Sequence, residues 1–150
     1  NKTMEFTKEF ELFMKFYDNN KHLIPYRTEW LVFDEELNMA GSIDMVFKEE
    51  IENKTYYHIY DWKRSKAIKK ENRYGNCLVE ALDHIPDSNF WHYSLQLNIY
   101  KYILEKNYNI NIKDMFLVQF HPNFDNYMKY KVPDLNCEIQ KLIQFRKLNT

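Results

Sequence analysis

Apolar residues recur at helical spacing over residues 4–22, where Phe6, Phe10, Phe13 and Phe16 or Tyr17 fall on one face. This spacing predicts an amphipathic first helix ended by Pro25. Residues 26–34, YRTEWLVFD, have the β-branched and aromatic content of a strand, and Asp34-Glu35-Glu36 reads as a charged turn after it. Two more strands are predicted at 39–47, MAGSIDMVF, and 56–63, YYHIYDWK, joined by a polar loop from Lys48 to Thr55. Residues 26–63 are thus an expected antiparallel meander. Residues 64–89 are polar and irregular, with a helical turn expected near 77–84, and DHIPDSN, Asp83 to Asn89, reads as a loop capping the next helix. That helix, over 90–107, has the strongest pattern in the chain, with Leu95, Ile99, Tyr102 and Ile103 on a face. A continuous apolar strand over 113–121 stops at Pro122, and a short strand near 127–132 and a helix over 134–148 follow. The order αβββαβ(β)α is that of an α/β (α+β) sheet with helices packed against it. Nothing in the pattern divides residues 1–150 into more than one domain.

The strands carry the candidate chemistry. Side chains two apart on a strand share a side, so Asp61 and Lys63 project together, and a hairpin brings Asp44 beside them. Two carboxylates at close range repel each other unless a cation neutralises them, and hard oxygen donors suit Mg²⁺ or Mn²⁺. A lysine beside such an ion orients or deprotonates a water, or stabilises charge on a phosphoryl oxygen. The bland alternative is a plain Asp44–Lys63 salt bridge, although an acid on a strand of Ile, Met, Val and Phe still requires a compensating charge. Gln96 and Tyr100, one helical turn apart, share a face and reach either a phosphate or Lys63, or are ordinary polar residues at a helix rim. Arg64, Lys66, Lys69, Lys70 and Arg73 gather positive charge after Lys63, while Asp34–Glu36 and Glu49–Glu52 gather negative charge elsewhere. That polarity suits phosphates beside the acids, and equally a solvated face. Tyr74, Trp91 and Tyr93 are base-stacking candidates if exposed and core residues otherwise.

Composition narrows the partners. The formal net charge of −1 gives no global basic field, so any nucleic-acid binding rests on local clusters. Aromatics at 17% with only 2 glycines mean that bulky side chains fill the core. Cys77 and Cys137 match neither a zinc spacing nor a disulfide framework and read as buried or inert thiols in a reducing compartment. With no long apolar run and no signal-peptide pattern, the expectation is a soluble intracellular protein, of cytoplasm or nucleus, with no membrane partner. Because it begins at Asn1 without an initiator Met, the chain is expected to be a processed product or an excised domain of a larger parent.

Gly-x-x-Asp at 41–44, Asp-x-Lys at 61–63 and Gln-x-x-x-Tyr at 96–100 resemble the PD-(D/E)XK nuclease superfamily, in particular its RecB-like and lambda-type exonuclease branch. The resemblance covers roughly residues 26–121, and each motif lies on its expected element. It implies a restriction-endonuclease-like core, an αβββαβ mixed sheet flanked by helices. It implies Asp44 and Asp61 as ligands of Mg²⁺ or Mn²⁺, the main-chain carbonyl of Trp62 completing the coordination, and Lys63 serving the attacking water. Glu29 matches an acid that many members carry on the preceding strand, reaching the metal through water, with solvent exposure its bland alternative. Ser65 occupies a place where members often carry a hydroxyl near the substrate. His22 is a candidate for the upstream histidine of the exonuclease branch, or a surface histidine at a helix end; His58 reads as structural, and His84, His92 and His121 share no ligand spacing. Two distant cysteines exclude the branch's iron–sulfur subtype. The implied activity is metal-dependent hydrolysis of nucleic acid, DNA favoured over RNA and exonuclease-like, in repair, recombination or replication. The alternatives are an inactive nucleic-acid-binding or assembly module of the same fold, or an RNA-directed endonuclease.

Overall fold

A computed structural model describes residues 2–70 and 88–148, with side chains from residue 8 onward. Its elements are α1 (Lys2–Asn19), β1 (Ile24–Asp34), β2 (Met39–Ile51), β3 (Lys54–Lys63), α2 (Asn89–Asn107), β4 (Ile112–Gln119), β5 (Met128–Lys131) and α3 (Asn136–Leu148). The strands form one sheet in the order β1-β2-β3-β4-β5. Only β3 and β4 run parallel, and α2 makes the crossover that a parallel pair requires. The αβββαβ order expected from the pattern is therefore the order found.

Strand alternation divides the core into two layers. On one face Ile59, Val46, Val32 and Leu117 meet Leu97, Tyr100, Ile103 and Leu104 of α2. On the other, Phe47, Tyr60, Trp62 and Phe120 meet Leu12 and Phe16 of α1. Phe16 lies with its ring centroid 5.4–6.3 Å from those of Phe47, Tyr60, Trp62, Phe120 and Tyr127. Truncating a ring so enclosed costs about 3–5 kcal/mol. A third cluster, Leu37, Leu135, Ile139 and Ile143 with Leu95, Ile99 and Tyr102, packs α3 on the outer side of α2. Helix α2 is thus covered on two sides, and the expected face splits: Ile103 faces the sheet, while Leu95, Ile99 and Tyr102 face α3.

Four expectations are corrected. Phe10 and Tyr17 of α1 are 56% and 52% exposed, because the helix rests on the sheet along the narrower line of Leu12 and Phe16. Helix α1 ends at Asn19, where the Asn20 side chain returns to the Phe16 carbonyl, so Pro25 does not end it. Pro25 lies inside β1, on the sheet edge, where a missing N–H is tolerated. The segment from Lys48 to Thr55 is not a loop: β2 and β3 continue to a two-residue turn at Glu52 and Asn53, with φ of 51° and 67°. Positive φ at both positions marks a type I′ turn, and with no glycine there the usual signal is absent. Finally, β4 ends at Gln119 rather than His121, and the helical turn expected near 77–84 lies outside the described residues.

The β1–β2 corner is tied to α2 by charge. Asp34, 1% exposed, accepts from the Leu37 N–H (3.0 Å), Lys106 Nζ (2.9 Å) and Asn107 Nδ2 (3.3 Å). Burial alone would raise its pKa, but Lys106 and the other donors outweigh that and hold Asp34 below the usual carboxylate range. Lys106 also reaches Glu36 at 2.8 Å. Lys106→Met should therefore strand a buried carboxylate and cost about 1–3 kcal/mol in urea denaturation. Addition of Asp34→Asn should recover much of that loss, and a double variant as unstable as the single one would disprove the electrostatic link.

Candidate active site

The acids lie where two strands part. Pairing of β2 with β3 runs from Ile51↔Lys54 to Met45↔Tyr60 and stops, while β3 continues along β4 to Lys63↔Gln119 and β2 along β1 to Met39↔Asp34. Continuing the β2–β3 register by one step sets Asp44 opposite Asp61. At that step the Trp62 N–H donates to Asp44 Oδ2 at 2.9 Å, so a side chain takes the place of the lost ladder bond. The two carboxyl groups are close enough to interact directly. The face alternation of β2 also slips here, since Ile43 and Val46 both belong to the layer under α2. On β1, Glu29 falls between Thr28↔Met45 and Trp30↔Ile43 and has φ of 46°. A left-handed non-glycine residue inside a strand costs on the order of 1 kcal/mol. It marks the local distortion of the sheet beside Asp44.

Burial makes this pair electrostatically demanding. Asp61 is 6% exposed, and its pKa is pushed up to about 6, first by desolvation and further by Asp44, against the opposing pull of the Lys63 ammonium. Lys63 Nζ lies 2.7 Å from Asp61 Oδ2. That ammonium is the partner of the buried Oδ2, which has no other hydrogen-bond donor. A buried carboxylate balanced by one ammonium and facing a second carboxylate is a donor set that a hard divalent cation would satisfy. Among the described residues no group of three His, Cys, Asp or Glu stands close enough to hold a metal ion, so these residues bring two side-chain carboxylates to the site. Glu29 is exposed and is not drawn into the pair.

Helix α2 roofs the acids with Tyr93, Gln96 and Tyr100, which share a helical face by their spacing. Gln96 Nε2 donates to the Tyr100 hydroxyl at 2.9 Å. Burial, then the charges of Asp61 and Asp44, raise the Tyr100 pKa, which keeps the phenol protonated. Gly41 explains how Tyr100 comes so near: a Cβ there would lie 2.4 Å from its Cε1. The Gly-x-x-Asp and Gln-x-x-x-Tyr motifs are therefore one packing unit. The Tyr93 ring centroid stands 4.0 Å from Lys63 Nζ. By sequence alone Tyr93 is a base stacker or a core residue; its place one turn before Gln96 is the signal that links it to the site.

The segment after Lys63 is pinned by its backbone. Gln119, 2% exposed and opposite Lys63 in the sheet, donates to the Ser65 carbonyl at 2.7 Å. Gln119 was not foreseen, because its strand reads simply as apolar. Ser65 Oγ donates to the Ala67 carbonyl at 2.8 Å, and Asn89 clamps Ala67 and Lys69 to the start of α2. Lys66, Lys69 and Lys70 are exposed, whereas Arg64 is paired with Glu9. Lys70 Nζ stands 5.0 Å from the Phe90 ring centroid. Arg73, Tyr74, Cys77 and His84 lie outside the described residues. Trp91 packs against the core and donates Nε1–H to the Lys70 carbonyl at 2.9 Å. His22 meets Glu49 at 3.4 Å rather than the acids, and His58, 4% exposed, meets the same carboxylate at 3.2 Å. Cys137, expected to be buried or inert, is exposed on α3.

Two substitutions test this geometry. Gly41→Ala should cost about 1–3 kcal/mol, since its methyl collides with a buried ring. Tyr100→Leu should relieve much of that cost, and strict additivity in the double-variant cycle would show that the two do not touch. Asp61 supplies the pH test. Its folded pKa exceeds the unfolded value of 3.8, so the stability from its bound proton is full below that pH and lost as pH rises through about 6. In the absence of metal, Asp61→Asn should therefore gain on the wild type by about 2 kcal/mol between pH 4 and pH 7.5. A constant difference across that range in thermal melts would contradict the shift.

No protein-family model matches the chain, and no curated protein matches it in sequence. Solved structures do match in fold. One is the crystal structure of a "putative exonuclease" from Eubacterium rectale, 13% identical, with a TM-score of 0.55 over 96% of this chain and 50% of that one. This chain thus spans half the length of that protein. The mixed five-stranded sheet flanked by helices is the restriction-endonuclease-like fold, and that fold is what the chain shares with its structural neighbour.

Proposed function

We propose that the chain is a metal-dependent nuclease that hydrolyses phosphodiester bonds of nucleic acid, with DNA favoured over RNA and an exonuclease-like mode in repair, recombination or replication. The observation that carries this reading is the Asp44–Asp61 pair at the parting of β2 and β3, buried together with Lys63 against Asp61 Oδ2. The fold likeness to a protein named as an exonuclease supports it independently.

Asp44, Asp61 and the main-chain carbonyl of Trp62 would hold Mg²⁺ or Mn²⁺, with Glu29 contributing through water. When bound, such an ion supplies Lewis-acid polarisation of the scissile phosphate and a more acidic water. Lys63 then has two tasks, to orient the attacking water in line with the leaving oxygen and to offset charge building on the phosphoryl oxygens. Its ammonium is suited to both because it is fixed and only 20% exposed. In this mechanism the 3′ oxygen is the leaving group, and the product carries a 5′-phosphate. Gln96 and Tyr100 position Lys63 and the acids from above, and the raised pKa of Tyr100 keeps its hydroxyl available as a donor. Arg64, Lys66, Lys69 and Lys70 would bind substrate phosphates through charge rather than sequence, with the Ser65 hydroxyl among them; Arg73, outside the described residues, is assigned the same role from its place in the sequence.

The test is cleavage of labelled linear, circular and single-stranded DNA and RNA with Mn²⁺ or with EDTA. Linear DNA should be degraded only with metal, Asp44→Asn and Asp61→Asn should abolish cleavage and weaken metal binding, and Lys63→Ala should lose about two orders of magnitude in rate while still binding metal. Metal-independent cleavage, or full activity in either Asn variant, would refute the assignment. Tight nucleic-acid binding without turnover would instead identify a binding module of the same fold.

A further inference from the structure

Lys63 is held from two sides, and only one of them is an acid. Asp61 Oδ2 lies 2.7 Å from Nζ, and the Tyr93 ring centroid lies 4.0 Å from it. Tyr93 is partly buried against the core layer beneath α2, on the same helical face as Gln96 and Tyr100. Tyr100 is fixed in turn by Gly41 and by the Gln96 amide. The ring over Lys63 therefore belongs to a helix whose position is set by the strand that carries Asp44.

We propose that Tyr93 is a positioning residue for Lys63, its π face holding the ammonium beside the Asp44–Asp61 pair. This rests on the nuclease reading for its catalytic consequence, but not for the contact itself. A lysine steered by Asp61 alone follows that carboxylate, and it loses its only anchor when the carboxylate's charge is committed to a cation, which also repels the ammonium. An aromatic face attracts an ammonium through its quadrupole without adding a competing full charge or a metal-ligating lone pair. Tyr93 thus keeps Lys63 near the pair when Asp61 no longer can. The ring, not the hydroxyl, carries the role, so phenylalanine should serve and leucine should not.

The test pairs a spectroscopic with a kinetic measurement. In metal-free protein with ¹³C-labelled lysine, the Lys63 ε-methylene signal, assigned by its absence in Lys63→Arg, should be displaced upfield by the ring current in the wild type and in Tyr93→Phe. It should return toward the position of a free lysine in Tyr93→Leu. With Mn²⁺ and linear DNA, Tyr93→Leu should lower kcat roughly tenfold, with KM changed less than twofold, and Tyr93→Phe should restore kcat. An undisplaced Lys63 signal in the wild type overturns the proposal even if Tyr93→Leu fails to fold. So does equal loss in the Phe and Leu variants, which would assign the role to the hydroxyl, or a Leu effect confined to KM, which would make Tyr93 a substrate contact. If the ring-current pattern holds but no substrate is cut, the nuclease reading falls while the Lys63–Tyr93 contact stands.

Discussion

Two carboxylates brought face to face inside a sheet are the constraint on which the rest of this structure depends. At the Asp44–Asp61 step the β2–β3 ladder opens, and a side chain receives the N–H of Trp62. Mutual repulsion and desolvation make the pair unfavourable in isolation. Its surroundings answer that cost piece by piece: an ammonium on the same strand, a ring behind that ammonium, and a tyrosine seated on a glycine. Remaining unfavourable charge is visible in the pKa of Asp61, which stays raised in spite of the ammonium beside it. Such residual frustration is what a binding site has to offer a ligand.

The reverse face explains how so strained a site is held. Asp61 and Lys63 point toward α2, and between and before them Trp62 and Tyr60 point into the aromatic layer against α1. The Tyr60 and Trp62 centroids are each within 5.0–6.3 Å of Phe47, and Phe120 stacks 5.6 Å from Trp62. Each polar group is therefore anchored by a bulky neighbour one residue away. A chain with few glycines and many rings gives β3 little freedom to relax, so the charges stay where the backbone aims them.

Strand order and the acidic motif were legible because both rest on local patterns: period-two alternation, the spacing of Asp61 and Lys63, and the helical run before Asn107. What was not legible depends on partners distant in sequence. The strand through Lys48, Glu49 and Glu50 looks like a loop until Glu49 is seen to serve His58 across the hairpin. The exposed side of α1 cannot be told from its buried side when both carry phenylalanines, since only contact with the sheet decides between Phe10 and Phe16. Gly41 reads as a motif letter, yet its reason is the ring of a residue in another element. Tyr93 and Gln119 share that difficulty: each is ordinary in its own element, and each gains meaning only opposite Lys63.

The parallel pairing of β3 with β4 separates what is local in the site from what is long-range. Strands β1 to β3 are joined by short turns, so their ladders close small loops, whereas β3 meets β4 only across the whole of α2. The register that opposes Asp44 to Asp61 therefore rests on segments close in sequence. Their burial rests on distant ones, since α2 lays Tyr100 on Gly41 and Tyr93 over Lys63. The electrostatic cost of the site thus falls on the same long-range contacts, of α2 and the fourth strand with the sheet, that bury the apolar core.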